Sequence, residues 1–353
     1  MLNLDDLQVY KKYDPEGMLT HIHNIPELCK QAWQMATALD LPQDYSQVNK
    51  VVVLGMGGSA IGGDLVASLI SDEARIPVIV QRDYNLPAFV DSKTLVIASS
   101  YSGMTEETLF AFEKASHTNS KKLVITTGGR LKDLAQEKNV PIFSFDYKTQ
   151  PRAALPFSFL PIVNFMQRLG FIGDKSADVA EMVEVLKQLS QEIDETIPTE
   201  QNQAKRLAQA LYGKLAVIYG AGITSEVAHR WKTQLNENSK AWAFHEVFPE
   251  LNHNAVVGYH FPLELASKIV VVLLQSSHLP KPIIRRYQIT SQLLDKANIQ
   301  YLLIDGSGKS PLAQMMSLVL FSDYVSYYLA ILNHTDPTPV KAIDFLKGEL
   351  GKG

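Results

Sequence analysis

Three hydroxyl side chains lie where an apolar segment meets a helical pattern. Within LVIASSYSGMTEET (95–108), Ser100, Ser102 and Thr105 follow the apolar residues, and Gly103 lets the backbone turn. Hydroxyls delivered to a helix N-terminus can bind phosphate, because free N–H groups and the positive end of the helix dipole favour an anion. The same residues also suit an ordinary N-cap, in which Ser and Thr satisfy the helix's own donors. This segment alone leaves both interpretations open.

A glycine-rich loop, GMGGSAIGGD (55–64), follows the apolar run 51–54 and is compatible with two kinds of ligand. Its G-x-G-x-x-A spacing fits the dinucleotide fingerprint, and Arg82 lies a plausible distance onward for a nucleotide contact. However, the glycines through Gly58, followed by Ser59, make a roomier turn that presents a hydroxyl. A second hydroxyl-rich loop has no role in binding a pyrophosphate bridge. We therefore favour a single phosphate gripped between the two loops.

The densest polar cluster lies at 224–260 and contains a candidate general base. A helical pattern begins at Thr224 and ends near Asn238, which places Glu237 at a helix C-terminus. The helix dipole disfavours a carboxylate charge at that end, so Glu237 suits a base that must hold and return a proton. A solvated carboxylate at a frayed helix end fits the local sequence as well.

Downstream, His253 stands between two asparagines that could orient it as a general acid or base. A metal site is the competing interpretation, because His245, Glu250 and His260 are near it in the sequence. The spacing of these residues matches no established metal-binding pattern. We therefore expect no metal.

Arg152 follows Pro151 in PRAALPF, at the expected junction between the two halves of the chain. An arginine there can reach into the cleft between two domains. The local sequence by itself favours a surface arginine instead, with its apolar stem packed and its charge in water.

Length and composition indicate a large soluble protein. A chain of 353 residues with 46% hydrophobic content can bury two cores, and its net charge of −4 indicates neither a nucleic-acid nor a membrane partner. Cys29 is the only cysteine, which fits a reducing compartment. The N-terminus lacks an apolar signal core, and the apolar run 317–332 contains Asp323 and three tyrosines, which indicates a buried helix. We therefore expect a cytoplasmic protein.

Alternating strand and helix patterns predict an α/β fold with doubly wound, flavodoxin-like parallel sheets. After a helical leader, strands are predicted at 51–54, 78–81, 94–99, 123–127 and 142–145. A weak internal repeat begins at Leu215, where LAVIYGAGITS aligns with VVVLGMGGS, and predicts a second α/β unit with strands at 269–274 and 301–304 and a helix at 282–297. We expect the first domain at 1–155, and linker helices with the second domain at 156–353.

Six motifs in order give the chain a family resemblance: GMGGSAIGGD, SSYSGMTEET, PRAALPF, NENSK, ELNHN and DPTPVKAIDFLK. The chain resembles the bifunctional phosphoglucose/phosphomannose isomerases, which are built from two sugar isomerase (SIS) domains. These motifs extend from Val51 to Lys347.

The resemblance implies a role for each candidate residue. Arg152 would stabilise the enediolate, Glu237 would move the proton between C2 and C1, and His253 from a partner subunit would assist ring opening. Lys347 would contact the sugar, and Thr338 would allow both C2 epimers to bind. The residues implied in holding the substrate phosphate are Gly58, Ser59, Ser100, Ser102 and Thr105.

The implied activity interconverts glucose 6-phosphate, and mannose 6-phosphate, with fructose 6-phosphate through a cis-enediolate. It needs no redox cofactor and no metal, and implies a homodimer with a shared active site. Two other functions stay open at this point. A sugar-phosphate sensor would keep the serine loops without the catalytic residues, and an NAD(P)-dependent oxidoreductase would use the Gly55 loop.

Overall fold

Two parallel sheets organise the chain, and the computed structural model describes residues 1–350. The first sheet has the strand order β2-β1-β3-β4-β5 and comprises β1 (Lys50–Leu54), β2 (Val78–Gln81), β3 (Thr94–Ser99), β4 (Lys121–Thr126) and β5 (Ile142–Ser144). The second has the order β7-β6-β8-β9 and comprises β6 (Leu215–Gly220), β7 (Ala243–Val247), β8 (Ile269–Gln275) and β9 (Gln300–Asp305). Every pairing within these two sheets is parallel.

Helices cover the sheets and join them. In the first half they are α1 (Gln8–Tyr13), α2 (Met18–His23), α3 (Ile25–Ala38), α4 (Gly57–Leu69), α5 (Glu106–Ser116), α6 (Gly129–Glu137) and α7 (Leu155–Arg168). In the second half they are α8 (Ser176–Ile193), α9 (Gln203–Leu211), α10 (Ser225–Glu237), α11 (Lys281–Lys296), α12 (Pro311–Leu332) and α13 (Lys341–Leu350). The predicted α/β fold with parallel sheets is confirmed.

The core lies around α12. By length and composition α12 could cross a membrane, but its apolar window is entirely buried inside the protein. It packs against α8, α9 and α10, and the largest hydrophobic cluster joins it to the first sheet. Its apolar composition therefore serves the protein interior, as the sequence predicts.

The acidic stretch predicted as a linker forms α8, which is a core helix. Val179, Met182 and Leu186 are buried, and α8 packs along α12. The division at residue 155 stays a prediction. At that point α7 begins, and it packs against α3 and α4.

The predicted strands of the first sheet agree with the structure to within two residues at each end. Strand β7 is the one that sequence patterns missed. Its residues AFHEV alternate between buried or half-buried and exposed positions at the edge of the second sheet, and Phe244 is 51% exposed. A short, half-exposed edge strand carries little of the continuous apolar signal that identifies central parallel strands.

The strand order places the two sequence-predicted loops side by side. Strand β1 lies between β2 and β3, so the loops after β1 and β3 leave the carboxyl edge of the sheet on either side of the point where strand order reverses. Open α/β sheets bind ligands at this position. Helices α4 and α5 begin directly after these loops.

Candidate active site

The two loops are hydrogen-bonded to each other. The backbone N–H of Tyr101 donates to Ser59 Oγ at 3.1 Å, and Ser100 Oγ lies 2.9 Å from Thr105 Oγ1. Ser102 Oγ is 3.2 Å from the N–H of Met104, and Ser102 is exposed. The structure thus brings together the hydroxyls of Ser59, Ser100 and Thr105, as predicted.

Both helix N-termini at these loops are open to an anion. Met56 precedes α4 and Thr105 precedes α5, and neither makes a side-chain capping hydrogen bond within residues 1–350. The ordinary N-cap interpretation of Thr105 is therefore wrong, because its hydroxyl contacts Ser100 instead. Uncapped first-turn N–H groups can bind a phosphate.

Gly58 joins the first loop to the segment that carries the arginine. A Cβ added at Gly58 would lie 3.0 Å from the carbonyl oxygen of Pro151 and 3.2 Å from the backbone nitrogen of Arg152. Only a residue without a side chain allows this backbone approach. Arg152 belongs to a 3₁₀ turn at 151–154 that follows the carboxyl edge of the first sheet.

Arg152 connects the two halves of the chain. Its guanidinium donates from Nε to Asn238 Oδ1 at 2.6 Å and from Nη1 to Glu237 Oε2 at 3.3 Å. From Nη2 it also donates to the carbonyls of Pro337 and Thr338, at 2.7 and 2.8 Å. Arg152 is 2% exposed, so the expectation of a surface arginine is wrong.

A second buried arginine supports the first. Arg230 of α10 donates to the Arg152 carbonyl at 2.8 Å and to Asp323 of α12 at 3.3 Å, and Gln234 donates to the same carboxylate. Burial lowers the pKa of Arg152, and the nearby Glu237 carboxylate opposes that change. A guanidinium stays protonated under these conditions, so Arg152 remains a fixed positive charge.

Glu237 ends α10, as predicted, and faces a large cavity. The cavity has a volume of about 990 Å³, and its lining includes Glu237, Lys240, Trp242, Asp336 and Ile343. The side chain of Glu237 is 27% exposed, so it is accessible to a ligand while it contacts Arg152. The hydroxyl-loop residues of the described chain do not line this cavity, and Arg152 lies between the two regions.

Thr338 follows α12 and lies beside Arg152. Its backbone N–H donates to Asp336 Oδ1 at 2.9 Å, and its carbonyl accepts from Arg152. The Thr338 hydroxyl is buried and has no hydrogen-bond partner among the residues that the structure describes. A buried hydroxyl without a partner costs free energy, which a ligand hydroxyl at this position would recover.

Lys347 lies on α13, next to the cavity but outside its lining. The helix begins at the cavity, where Lys341 and Ile343 form part of the wall. Lys347 is four residues after Ile343, so the two share one face of the helix. Lys347 is exposed.

His253 lies away from Glu237 within one chain. Glu237 precedes the amino end of β7, and His253 follows its carboxyl end in a 3₁₀ turn at 250–253. A five-residue strand between them spans roughly 17 Å. His253 is exposed, so the structure presents it outward, and it does not reach the Glu237 cavity of its own chain.

Comparisons with known proteins agree with these motifs. The model of the bacterial phospho-glucose isomerase C-terminal SIS domain matches residues 200–350. The chain is 43% identical to a bifunctional phosphoglucose/phosphomannose isomerase of Caldicellulosiruptor bescii, over 95% of this chain and 99% of that relative. The chain belongs to the bifunctional phosphoglucose/phosphomannose isomerase family.

A second member of this family, from Aquifex aeolicus, is 35% identical over 89% of this chain and 94% of its own. Among solved structures, a hypothetical protein from Thermus thermophilus has a TM-score of 0.73 at 16% identity, covering 98% of this chain and 92% of that one. The structural likeness supports the shared fold.

In this family member, the residues best placed to offer metal ligands lie away from Glu237. Oxygen and nitrogen atoms of Asp64, Glu226 and His229 lie within 4.8 Å of one another, where α4 meets α10. Arg82 forms an ion pair with Asp64 and so balances its charge. Because Arg82 is committed to Asp64, the structure also gives no support to a nucleotide contact by Arg82.

Sequence reasoning missed two polar residues at the site. Asn238 accepts from Arg152, and Lys240 lines the cavity beside Glu237. Both stand in the motif NENSK, which was associated with the base alone. Their adjacency to Glu237 in the sequence was the available signal, but which side chains point at Arg152 depends on how α10 ends.

Proposed function

We propose that this protein interconverts glucose 6-phosphate and mannose 6-phosphate with fructose 6-phosphate by aldose–ketose isomerisation. The observation that carries the proposal is the contact between Arg152 and Glu237, at 3.3 Å, where the two halves of the chain meet. It pairs a fixed cation with an accessible carboxylate beside two open helix N-termini. Membership of the family and its members' activity support the same substrates.

The phosphate end of the substrate binds to the hydroxyl loops. Gly58 and Ser59 supply the start of α4, and Ser100, Ser102 and Thr105 supply the start of α5. Neutral hydroxyls and N–H groups suit this task, because they hold a dianion without a strong countercharge that would slow its release.

The reacting carbons lie between Arg152 and Glu237. The carboxylate takes the proton from C2 and returns it to C1 on the same face of the cis-enediolate, so one base completes the transfer. Negative charge develops on the carbonyl oxygen during this step, and the Arg152 guanidinium stabilises it. Arg152 is held by Asn238 and two carbonyls, so its charge is positioned before the substrate arrives.

Ring opening needs a further proton donor and acceptor. Because His253 faces outward in its own chain, we infer a homodimer in which His253 of the partner subunit completes the site. Exposed apolar side chains near that turn fit an interface: Val257 is 72%, Phe261 80% and Leu263 73% exposed. Such clusters on a soluble protein mark contact surfaces.

Mixing two inactive variants tests this shared site. Glu237→Gln and His253→Ala homodimers are each expected to lose activity. After subunit exchange, a heterodimer would pair one intact Glu237 with one intact His253, and the mixture should recover about a quarter of wild-type activity. Size-exclusion chromatography establishes the dimer. No recovery in mixtures that demonstrably exchange would contradict a site shared between subunits.

The phosphate-binding role of the hydroxyls is tested by Ser59→Ala and Thr105→Ala. Each variant removes one neutral donor, and we expect KM for fructose 6-phosphate to rise about tenfold with kcat changed much less. Ser68→Ala, on the far part of α4, is a matched control because its hydroxyl bonds only within its helix. Wild-type KM in both site variants would place the phosphate elsewhere.

A coupled assay tests the proposed function as a whole. Fructose 6-phosphate is supplied, and glucose 6-phosphate and mannose 6-phosphate are measured separately. Formation of both aldoses is the expected result, and formation of neither contradicts the proposal. Fructose 6-phosphate binding without turnover would indicate the sensor function, and micromolar NADH binding would revive the oxidoreductase.

The two-domain division at residue 155 and a cytoplasmic location remain predictions. Lys347 as a sugar contact and Thr338 as the residue that admits both epimers are proposals of the same standing. The unpartnered buried hydroxyl of Thr338 supports the latter. The exposure of Lys347 beside the cavity is compatible with a ligand that draws it inward.

A further inference from the structure

Lys240 makes two contacts that join the segment carrying the base to the segment carrying Thr338. Its Nζ donates to the carbonyl of Glu237 at 2.5 Å and to the carbonyl of Pro337 at 2.9 Å. The Pro337 carbonyl also accepts from Arg152. Two cations therefore converge on one carbonyl oxygen, between the end of α10 and the turn at 336–338.

The backbone at Lys240 indicates that this side chain matters. Lys240 has φ +54°, a left-handed conformation that glycine adopts without strain and a lysine does not. A helix commonly ends on glycine at such a position. A strained lysine in place of glycine is explained if its ammonium group has a task at the site.

We propose that Lys240 is a positioning residue that fixes the turn at 336–338 against α10 and thereby sets the ratio of glucose 6-phosphate to mannose 6-phosphate formed. Movement of this turn shifts the Thr338 hydroxyl, and it also shifts the two carbonyls that hold Arg152. The inference rests on the proposed roles of Glu237 and Thr338. It concerns the partition between epimers, which differ only at C2.

The charge on this clamp changes within an accessible pH range. Burial and the nearby Arg152 lower the pKa of Lys240 to about 8, while Asp336 and Glu237 act in the opposite direction. The other charged or titratable groups on the cavity wall are Lys232, His334 and Lys341. Below pH 8 the ammonium holds both carbonyls, and as pH rises through about 8 the charge is lost and these hydrogen bonds weaken.

The experiment measures initial rates of both aldoses from fructose 6-phosphate between about pH 6.5 and about 9.5. In the wild type we expect the product ratio to change at least twofold, with a midpoint near pH 8. Lys240→Met should show a shifted ratio at all pH values, with kcat lowered about tenfold and KM changed less than twofold. Lys240→Arg keeps the charge and should give a ratio independent of pH.

Two further variants separate positioning from folding and from charge alone. Lys240→Gly relieves the left-handed strain, so it should fold at least as stably as the wild type and still shift the product ratio. Lys232→Met removes a lysine from the same helix and the same cavity wall, and should keep the wild-type ratio. No hydrogen bond joins Lys232 to the turn in the part of the chain that the structure describes.

A wild-type ratio in Lys240→Met or Lys240→Gly would overturn the proposal, and so would an equal shift in Lys232→Met. If Lys240→Met fails to fold, Lys240→Gly and the wild-type pH series still decide. Failure of the proposed function is distinguishable, because then the wild type forms neither aldose and no ratio exists.

Discussion

Glu237→Gln is expected to lower kcat for fructose 6-phosphate about 10³-fold, because a single base carries the proton in both directions. The amide keeps the size of the side chain and can still contact Arg152. Binding of fructose 6-phosphate, measured by calorimetry, should therefore remain within about threefold of the wild type. The largest expected effect on catalysis is thus separable from substrate binding.

Glu237→Asp is the matched control for this prediction. It keeps the carboxylate but withdraws it by one methylene, and should give an intermediate rate. In D₂O, the wild type should incorporate solvent deuterium at C2 of the aldose, and Glu237→Gln should do so no faster than the uncatalysed reaction. Rapid turnover by Glu237→Gln would show that another residue is the base.

Arg152→Lys is expected to lower kcat about 10²-fold, because the charge is kept while the geometry is lost. A lysine cannot reach Asn238, Glu237 and two backbone carbonyls together, as the guanidinium does. At least one buried acceptor is then left without a donor, which should lower the free energy of unfolding by about 2 kcal/mol. Urea denaturation and steady-state kinetics measure the two effects.

Arg168→Lys provides the comparison for this substitution. Arg168 donates to one backbone carbonyl at 2.7 Å on the exposed end of α7. We expect this variant to keep wild-type kcat and to change the free energy of unfolding by less than about 1 kcal/mol. Wild-type kinetics in Arg152→Lys would remove Arg152 from the catalytic mechanism.

Both sheets were largely predictable from the sequence, and the reason is their burial. Strands such as VVVL (51–54) and VVVLL (270–274) are covered on both faces and are therefore continuous apolar runs. Strand β7 lacks that signal, because it lies at an edge and exposes alternate residues. The segment predicted as a linker became core helix α8, since only the packed structure supplies α12 as its partner.

The site divides along similar lines. Ser59, Ser100 and Thr105 could be grouped from the sequence, because parallel strands deliver their following loops to one edge of a sheet. The surroundings of Arg152 could not, because its acceptors lie 85 to 186 residues further along the chain. The distance between Glu237 and His253 likewise depends on the direction of β7 within the sheet.

The sequence by itself determined the class of fold, the two loops, the chemical types at the site and, through its motifs, the family. These features follow from local apolar periodicity and from residue types, which neighbours along the chain set. Only the tertiary structure decided that Arg152 is buried, that Asn238 and Lys240 belong to its surroundings, and that His253 faces away from its own Glu237. Those outcomes depend on how α10, α12 and the turn at 151–154 pack together, and such packing is a property of distant segments that no local pattern encodes.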